Sequence, residues 1–255
     1  MLKQRRERRE KKIKKKITRP DCWYYIAALA GCAIFALLML RAFSAVDTQV
    51  SAQAQEYRPV IIIDAGHGGE DGGASSKSGV LEKDINLAIA LQLREYLSAT
   101  GLEVVMTREY DRSIYDSGLD TIRQKKVSDL HNRLALIQQY PGCLFISIHQ
   151  NQFSDSQYSG AQVFYSANHP QSKELAEHLR SAIVGLLQPE NKRECKQAEK
   201  SIYLMHNAQE VAVLVECGFL SNPQEAAQLS SEDYQKQMAF AIYCGILDYW
   251  RGQAG

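Results

Sequence analysis

From residue 59 onward, short apolar runs alternate with longer amphipathic stretches. Val60–Asp64, Leu102–Thr107, Cys143–Ile148, Ala161–Tyr165 and Val211–Glu216 are rich in β-formers and predict strands. Asp84–Ser98, Asp129–Gln139, Gln171–Leu187 and Glu232–Tyr249 predict helices. In the first of these helices Ile85, Ala88/Ile89, Leu93 and Tyr96/Leu97 recur at helical spacing, and in the last Tyr234, Met238, Ala241/Ile242 and Tyr249 do so. Strands alternating with helices predict one α/β domain, a twisted and largely parallel sheet flanked by helices. The charged segment 108–128 and the polar segment 188–200 read as surface loops, and no internal repeat or second globular domain is evident.

Charge changes the picture at the amino-terminal end. The whole chain is nearly balanced, with 30 Lys and Arg against 29 Asp and Glu, but residues 1–41 hold 12 of the bases and only 3 of the acids. A basic tail therefore precedes an acidic domain. Residues 1–22 read as a cytoplasmic tail, and Trp23–Leu40, an uncharged run of 18 residues, as a signal anchor or signal peptide. A spanning helix needs about 20 residues, so the run is close to the required length. Residues 41–58 read as a linker, with Ala52-Gln53-Ala54 a small-residue cleavage candidate, and 59–251 as the catalytic domain. A nucleic-acid-binding arm is the rival reading of the basic run, and the apolar segment directly after it argues against that partner. Membrane contact through this segment puts the domain outside the cytoplasm. The six cysteines form no Cys-x-x-Cys pair; Cys143 and Cys217 fall in predicted strands as buried thiols, and a disulfide among the last four stays open.

The candidate chemistry lies where strands end. Ile61-Ile62-Ile63-Asp64-Ala65-Gly66-His67-Gly68-Gly69 is a strand running into a histidine on a glycine turn. Phe145-Ile146-Ser147-Ile148-His149 is a second strand ending in histidine, and Val213-Leu214-Val215-Glu216 a third ending in a carboxylate. Glu82 stands just before a helix, where a lone acid commonly serves the helix dipole. A parallel sheet brings carboxyl ends to one edge, the edge at which α/β folds place ligands. Two histidines and one carboxylate make a catalytic zinc set with an open position, and the remaining carboxylate is then free to act as a base. The chain lacks His-Glu-x-x-His, a P-loop ending and Gly-x-Gly-x-x-Gly, which excludes those protease and nucleotide-binding classes.

Four segments, Asp64-Ala65-Gly66-His67-Gly68-Gly69, Glu82-Lys83-Asp84-Ile85-Asn86-Leu87-Ala88, Ser147-Ile148-His149-Gln150-Asn151 and Val215-Glu216-Cys217-Gly218-Phe219-Leu220-Ser221-Asn222, resemble the signatures of zinc-dependent N-acetylmuramoyl-L-alanine amidases. The resemblance covers about residues 59–250, in the family's order. Asp71-Gly72-Gly73-Ala74 and Gly79-Val80-Leu81-Glu82 look closest to the sporulation and germination branch of endospore-forming bacteria. It implies Zn2+ on His67, Glu82 and His149, with Glu216 as the catalytic carboxylate. It also implies peptidoglycan as substrate, with Asn151, Arg193 and Lys196 as substrate contacts. Ala65 replaces the family's usual proline, which changes turn rigidity rather than chemistry. The alternatives left open are another zinc-dependent wall hydrolase (peptidase or deacetylase), a wall-binding protein without turnover, and an enzyme that needs a protein activator to order its site.

Overall fold

The computed structural model describes residues 25–39, 41 and 58–253. The chain divides into two units, residues 1–57 and 58–255. In the first, residues 25–39 are helical and exposed. At 1.5 Å per residue this stretch is about 22 Å long, short of the ~30 Å of a bilayer core. Among the described residues no helix is long and apolar enough to cross a membrane. The basic tail, both ends of the expected anchor and nearly all of the linker lie outside the described residues.

The second unit is built on a six-stranded sheet: β1 (Ile61–Ala65), β2 (Val104–Met106), β3 (Leu144–Asn151), β4 (Gln162–Tyr165), β5 (Lys196–Gln197) and β6 (Val211–Phe219), in the spatial order β2-β1-β3-β6-β4-β5. The helices are α1 (Glu82–Ala99), α2 (Ile122–Gln138), α3 (Gln171–Leu186), α4 (Tyr203–Asn207), α5 (Pro223–Leu229) and α6 (Glu232–Gln253). Strand periodicity explains the layers. Ile61, Ile63, Ile146, Ile148, Val213 and Val215 point to one face and join a core with α1, α3 and α6. Ile62, Phe145, Ala212 and Leu214, one residue out of phase, join a smaller core with Ile137 of α2 and Leu204 and Met205 of α4. Every residue of β1 is buried, as a strand covered on both faces requires.

The sheet is largely parallel, as the alternation of strands and helices predicts, and of the five strand pairings among the described residues only β4 with β6 is antiparallel. Other expectations need correction. The short β5 and α4 were not anticipated, nor was α5, which Pro223 opens and the Asn222 side chain caps. The segment 108–128 is only partly a loop: α2 starts at Ile122 through a Thr121–Gln124 capping box, seven residues before the expected start. Cys143, Cys195, Cys217 and Cys244 are all free thiols, Cys143 and Cys217 buried.

What fixes the site-bearing end of the sheet is a polar network inside the α2 side. Asp64, at 0% exposure, accepts from Thr107 Oγ1 (2.9 Å), from Ser147 Oγ (2.6 Å) and from the Arg133 guanidinium. Burial opposes the charge on Asp64, and Arg133 with the two hydroxyls outweighs it, holding the carboxyl below its usual range. Arg133, itself buried, also donates to Asp129 (2.6 Å), to the Ala65 carbonyl (3.0 Å) and to the His67 carbonyl (2.7 Å). Arg108 donates to the carbonyls of Ala65 (2.8 Å), Gly66 (3.0 Å) and Lys83 (2.7 Å). Two guanidinium groups thus satisfy the carbonyls of a loop that leaves the strand ladder.

Removing one member of a buried ion pair strands the other, at a cost of about 3–5 kcal/mol. Arg133→Met is therefore expected to lower the thermal midpoint by on the order of 10 °C, and Asp64→Asn added to it should restore part of the loss. Unchanged melting in Arg133→Met would show that the network does not hold this end of the fold.

Candidate metal centre

His67 follows β1 in a left-handed backbone conformation, φ 62°, which residues other than glycine seldom adopt. Two interactions over-determine it. Arg133 holds its carbonyl, and its ring Nδ1 donates to Asp71 Oδ2 at 2.9 Å. Lys126 Nζ sits 3.1 Å from the same Asp71 oxygen. With Nδ1 committed to Asp71, Nε2 is the atom that faces the site, 3.2 Å from Glu82 Oε2.

Glu82 opens α1 and is 3% exposed. Its Oε2 accepts from the Ala74 amide (2.7 Å), and its Oε1 accepts from the Gln150 amide (3.0 Å) and lies 2.8 Å from His149 Nδ1. Burial alone would neutralise it. The hydrogen bonds and charges of His149 and His67 prevail and hold it far below the usual carboxylate range. The glycines of the motifs answer to this crowding. A Cβ at Gly66 would run into the His149 ring, and one at Gly73 would meet Glu82 Oε2 and His67 Cδ2.

His149 and Glu216 are register partners across β3 and β6, so they stand side by side on one face of the sheet. Glu216 differs from Glu82 in every respect that matters. No amide or cation engages its Oε2, which is buried without a hydrogen-bond partner. Burial pushes its carboxyl up to about 7; the Glu82 charge adds to this, and His149 and His67 oppose it.

One ligand atom each from His67, Glu82 and His149 lies within 4.8 Å of the others. Two imidazoles around one carboxylate, locked by outer hydrogen bonds, fit the donor set of a divalent transition metal. Burial lowers the His67 pKa, but Asp71 and Glu82 outweigh it and raise it to about 9.

The other expected residues are placed unevenly. Asn151 ends β3, half-buried, opposite Phe219. Arg193 lies 4.7 Å above the Phe219 ring and donates through Nε to the Ser159 carbonyl at 2.8 Å. Lys196 is exposed on β5, paired with Phe164 at the far side of β4 from Glu216, and the structure does not bring it to the cluster. Sequence reasoning missed Asp71, Arg108 and Arg133. For Asp71 a signal existed, since it follows His67 by four residues inside a glycine-rich turn.

Residues 61–248 match the family model described as N-acetylmuramoyl-L-alanine amidase. The chain is 36% identical over 226 residues to the germination-specific N-acetylmuramoyl-L-alanine amidase of Bacillus subtilis strain 168, covering 89% of this chain and 94% of that protein. It superposes on the CwlD amidase of Clostridioides difficile, solved in complex with the GerS lipoprotein, with TM-score 0.74 at 43% identity, covering 76% of this chain and 99% of that one. An N-acetylmuramoyl-L-alanine amidase from Clostridium difficile 630 gives TM-score 0.64 at 31% identity, covering 76% and 98%. With a His-Glu-His cluster able to hold a metal at the sheet edge and the family model spanning nearly the whole second unit, the chain belongs to the N-acetylmuramoyl-L-alanine amidase family, hydrolases of the amide between the muramic acid lactyl group and L-alanine.

Proposed function

We propose that the metal is zinc, held by His67, Glu82 and His149, and that Glu216 is the general base. The observation that carries this reading is the contrast between the two carboxylates: Glu82 buried and saturated with hydrogen bonds, Glu216 half-buried, its Oε2 enclosed without a partner and its carboxyl raised to about 7. Bound zinc polarises a carbonyl and lowers the pKa of water toward ~7. Glu216 takes a proton from the attacking water and returns it to the departing alanine nitrogen, so one carboxylate serves both transfers. Asp71 keeps the His67 ring in the tautomer and orientation that a ligand needs. Asn151, opposite Phe219, and Arg193, above the Phe219 ring, serve the substrate; Lys196 lies on β5, across β4 from Glu216, and would meet the substrate only away from the scissile bond.

The setting is part of the proposal. Likeness to a germination-specific amidase, alongside the likeness to the CwlD amidase solved with GerS, supports a role in the spore cortex or in germination. The basic residues 1–22, the apolar 23–40 and the polar 41–58 support a membrane anchor and linker that carry residues 59–251 on the extracytoplasmic side. Likeness to an amidase solved with a lipoprotein supports a protein activator as a partner of the chain, alongside peptidoglycan.

Three outcomes are expected. Glu216→Gln should keep its metal and lose about 10²–10⁴-fold in turnover; digests read by mass spectrometry should show new L-alanine amino termini with the parent chain only, and none after chelation. Full activity in Glu216→Gln removes the assigned role. Metal uptake should displace the His67 proton, because a group with a pKa of about 9 is protonated at neutrality. Apparent zinc affinity should then fall roughly tenfold per pH unit as pH drops from 8 toward 6, with about one proton released in titrations across buffers; pH-independent uptake contradicts this. Cell fractionation should find the full chain in the membrane and a chain starting at residue 58 in the soluble fraction; equal partition of the two refutes the anchor.

A further inference from the structure

Beyond the sheet edge, the loop after β3 carries two aromatic rings that stay exposed to solvent. Phe153 is 55% exposed and Tyr158 is 39% exposed. They touch edge to face, centroids 5.0 Å apart. Tyr158 leans on Phe219, the last residue of β6, at 6.2 Å, and Arg193 closes the stack from 4.7 Å above Phe219. The loop is rigidly hung. Phe153 N donates to Ser221 Oγ (3.2 Å), Gln152 Nε2 to the Ser75 carbonyl (3.2 Å), and Asn222 Nδ2 to the Tyr158 carbonyl (3.2 Å). The loop lies exposed, and its two rings offer apolar surface to solvent beside the site.

The location gives the rings a use. Phe153 is four residues beyond His149, at most about 13 Å along an extended chain. Tyr158 packs on a residue three beyond Glu216. The substrate of this reaction has a pyranose on the acyl side of the scissile amide, and further sugars follow within about that reach. A pyranose presents a face of C–H groups that lies against an aromatic ring, and a pre-set ring pair receives it with little loss of side-chain freedom. We propose that Phe153 and Tyr158 form a platform for the sugar rings of the glycan strand, which fixes the muramic acid while Glu216 and the metal ligands meet the amide. The proposal rests on the amidase reading and adds a second determinant of substrate choice. The platform selects glycan-bearing substrates over free peptides, and Arg193 braces it through Phe219 and Tyr158.

The test compares two substrates that share the scissile bond: a muropeptide of four or more sugars, and a lactoyl-L-alanyl peptide without sugar. In the full, zinc-loaded chain, Phe153→Ala/Tyr158→Ala should lower kcat/KM on the first about tenfold or more beyond any loss on the second, mainly through KM. Phe153→Tyr/Tyr158→Phe, which keeps both rings, should rescue it. Retention of the chain on peptide-free glycan strands should fall in the alanine variant and return in the rescue. Equal losses on both substrates, or no loss on either, overturn the platform. If the parent chain hydrolyses neither substrate, the amidase reading fails, and retention on peptide-free glycan, which needs no turnover, decides the platform alone: equal retention of the parent and the alanine variant overturns it.

Discussion

The constraint on which this structure turns is the need to hold a strand-to-loop transition still at the point where hydrogen bonding runs out. After Ala65 the backbone leaves the ladder, enters a left-handed turn at His67, and would present bare carbonyls to a buried space. Arg133 and Arg108 fill that need with five donated bonds to the carbonyls of Ala65, Gly66, His67 and Lys83. Asp64 neutralises the charge from beneath, with Asp129 on the flank. A histidine on a glycine turn would otherwise sample many orientations. Here its carbonyl and its ring are each fixed by a charged group, one from α2 and one from the turn itself.

From that anchored histidine the chemistry divides between two identical side chains. Glu82 and Glu216 lie close enough to influence one another, yet their surroundings push them apart. Two backbone amides, an asparagine and two imidazoles stabilise charge on Glu82. Glu216 is desolvated without such compensation. A carboxylate that stays ionised is suited to a ligand, and one poised near neutrality is suited to moving protons. The strand register produces this arrangement, because His149 and Glu216 are direct neighbours and Glu82 reaches them from the start of α1.

Much of this could be read from the residues. The apolar runs located β1, β3 and β6, and the polar residues that end them proved to be the ones that share an edge. Helices α1, α3 and α6 followed their apolar spacing because each packs one stripe on the sheet. β4 was located as well, but its antiparallel direction escaped, because strand direction leaves no trace in a four-residue run. The two-residue β5 has too little pattern to see. Arg108 and Arg133 escaped for a different reason: among polar neighbours a buried arginine looks like a solvated one, and only the distant carbonyls it meets reveal its role. The early start of α2 was hidden because Ile122 and Val127 are exposed, so the apolar spacing of that helix is broken. Phe153 and Tyr158 likewise look like ordinary loop residues until the fold sets them beside Phe219.

The central claim is a specific set of ligands on one ion, and X-ray absorption at the zinc edge of the loaded, full-length chain tests it most directly. The account predicts a first coordination sphere of two imidazole nitrogens with the rest oxygen, losing its carboxylate contribution in Glu82→Ala but not in Glu216→Gln. A sphere containing thiolate sulfur, or one unchanged by Glu82→Ala, would contradict it.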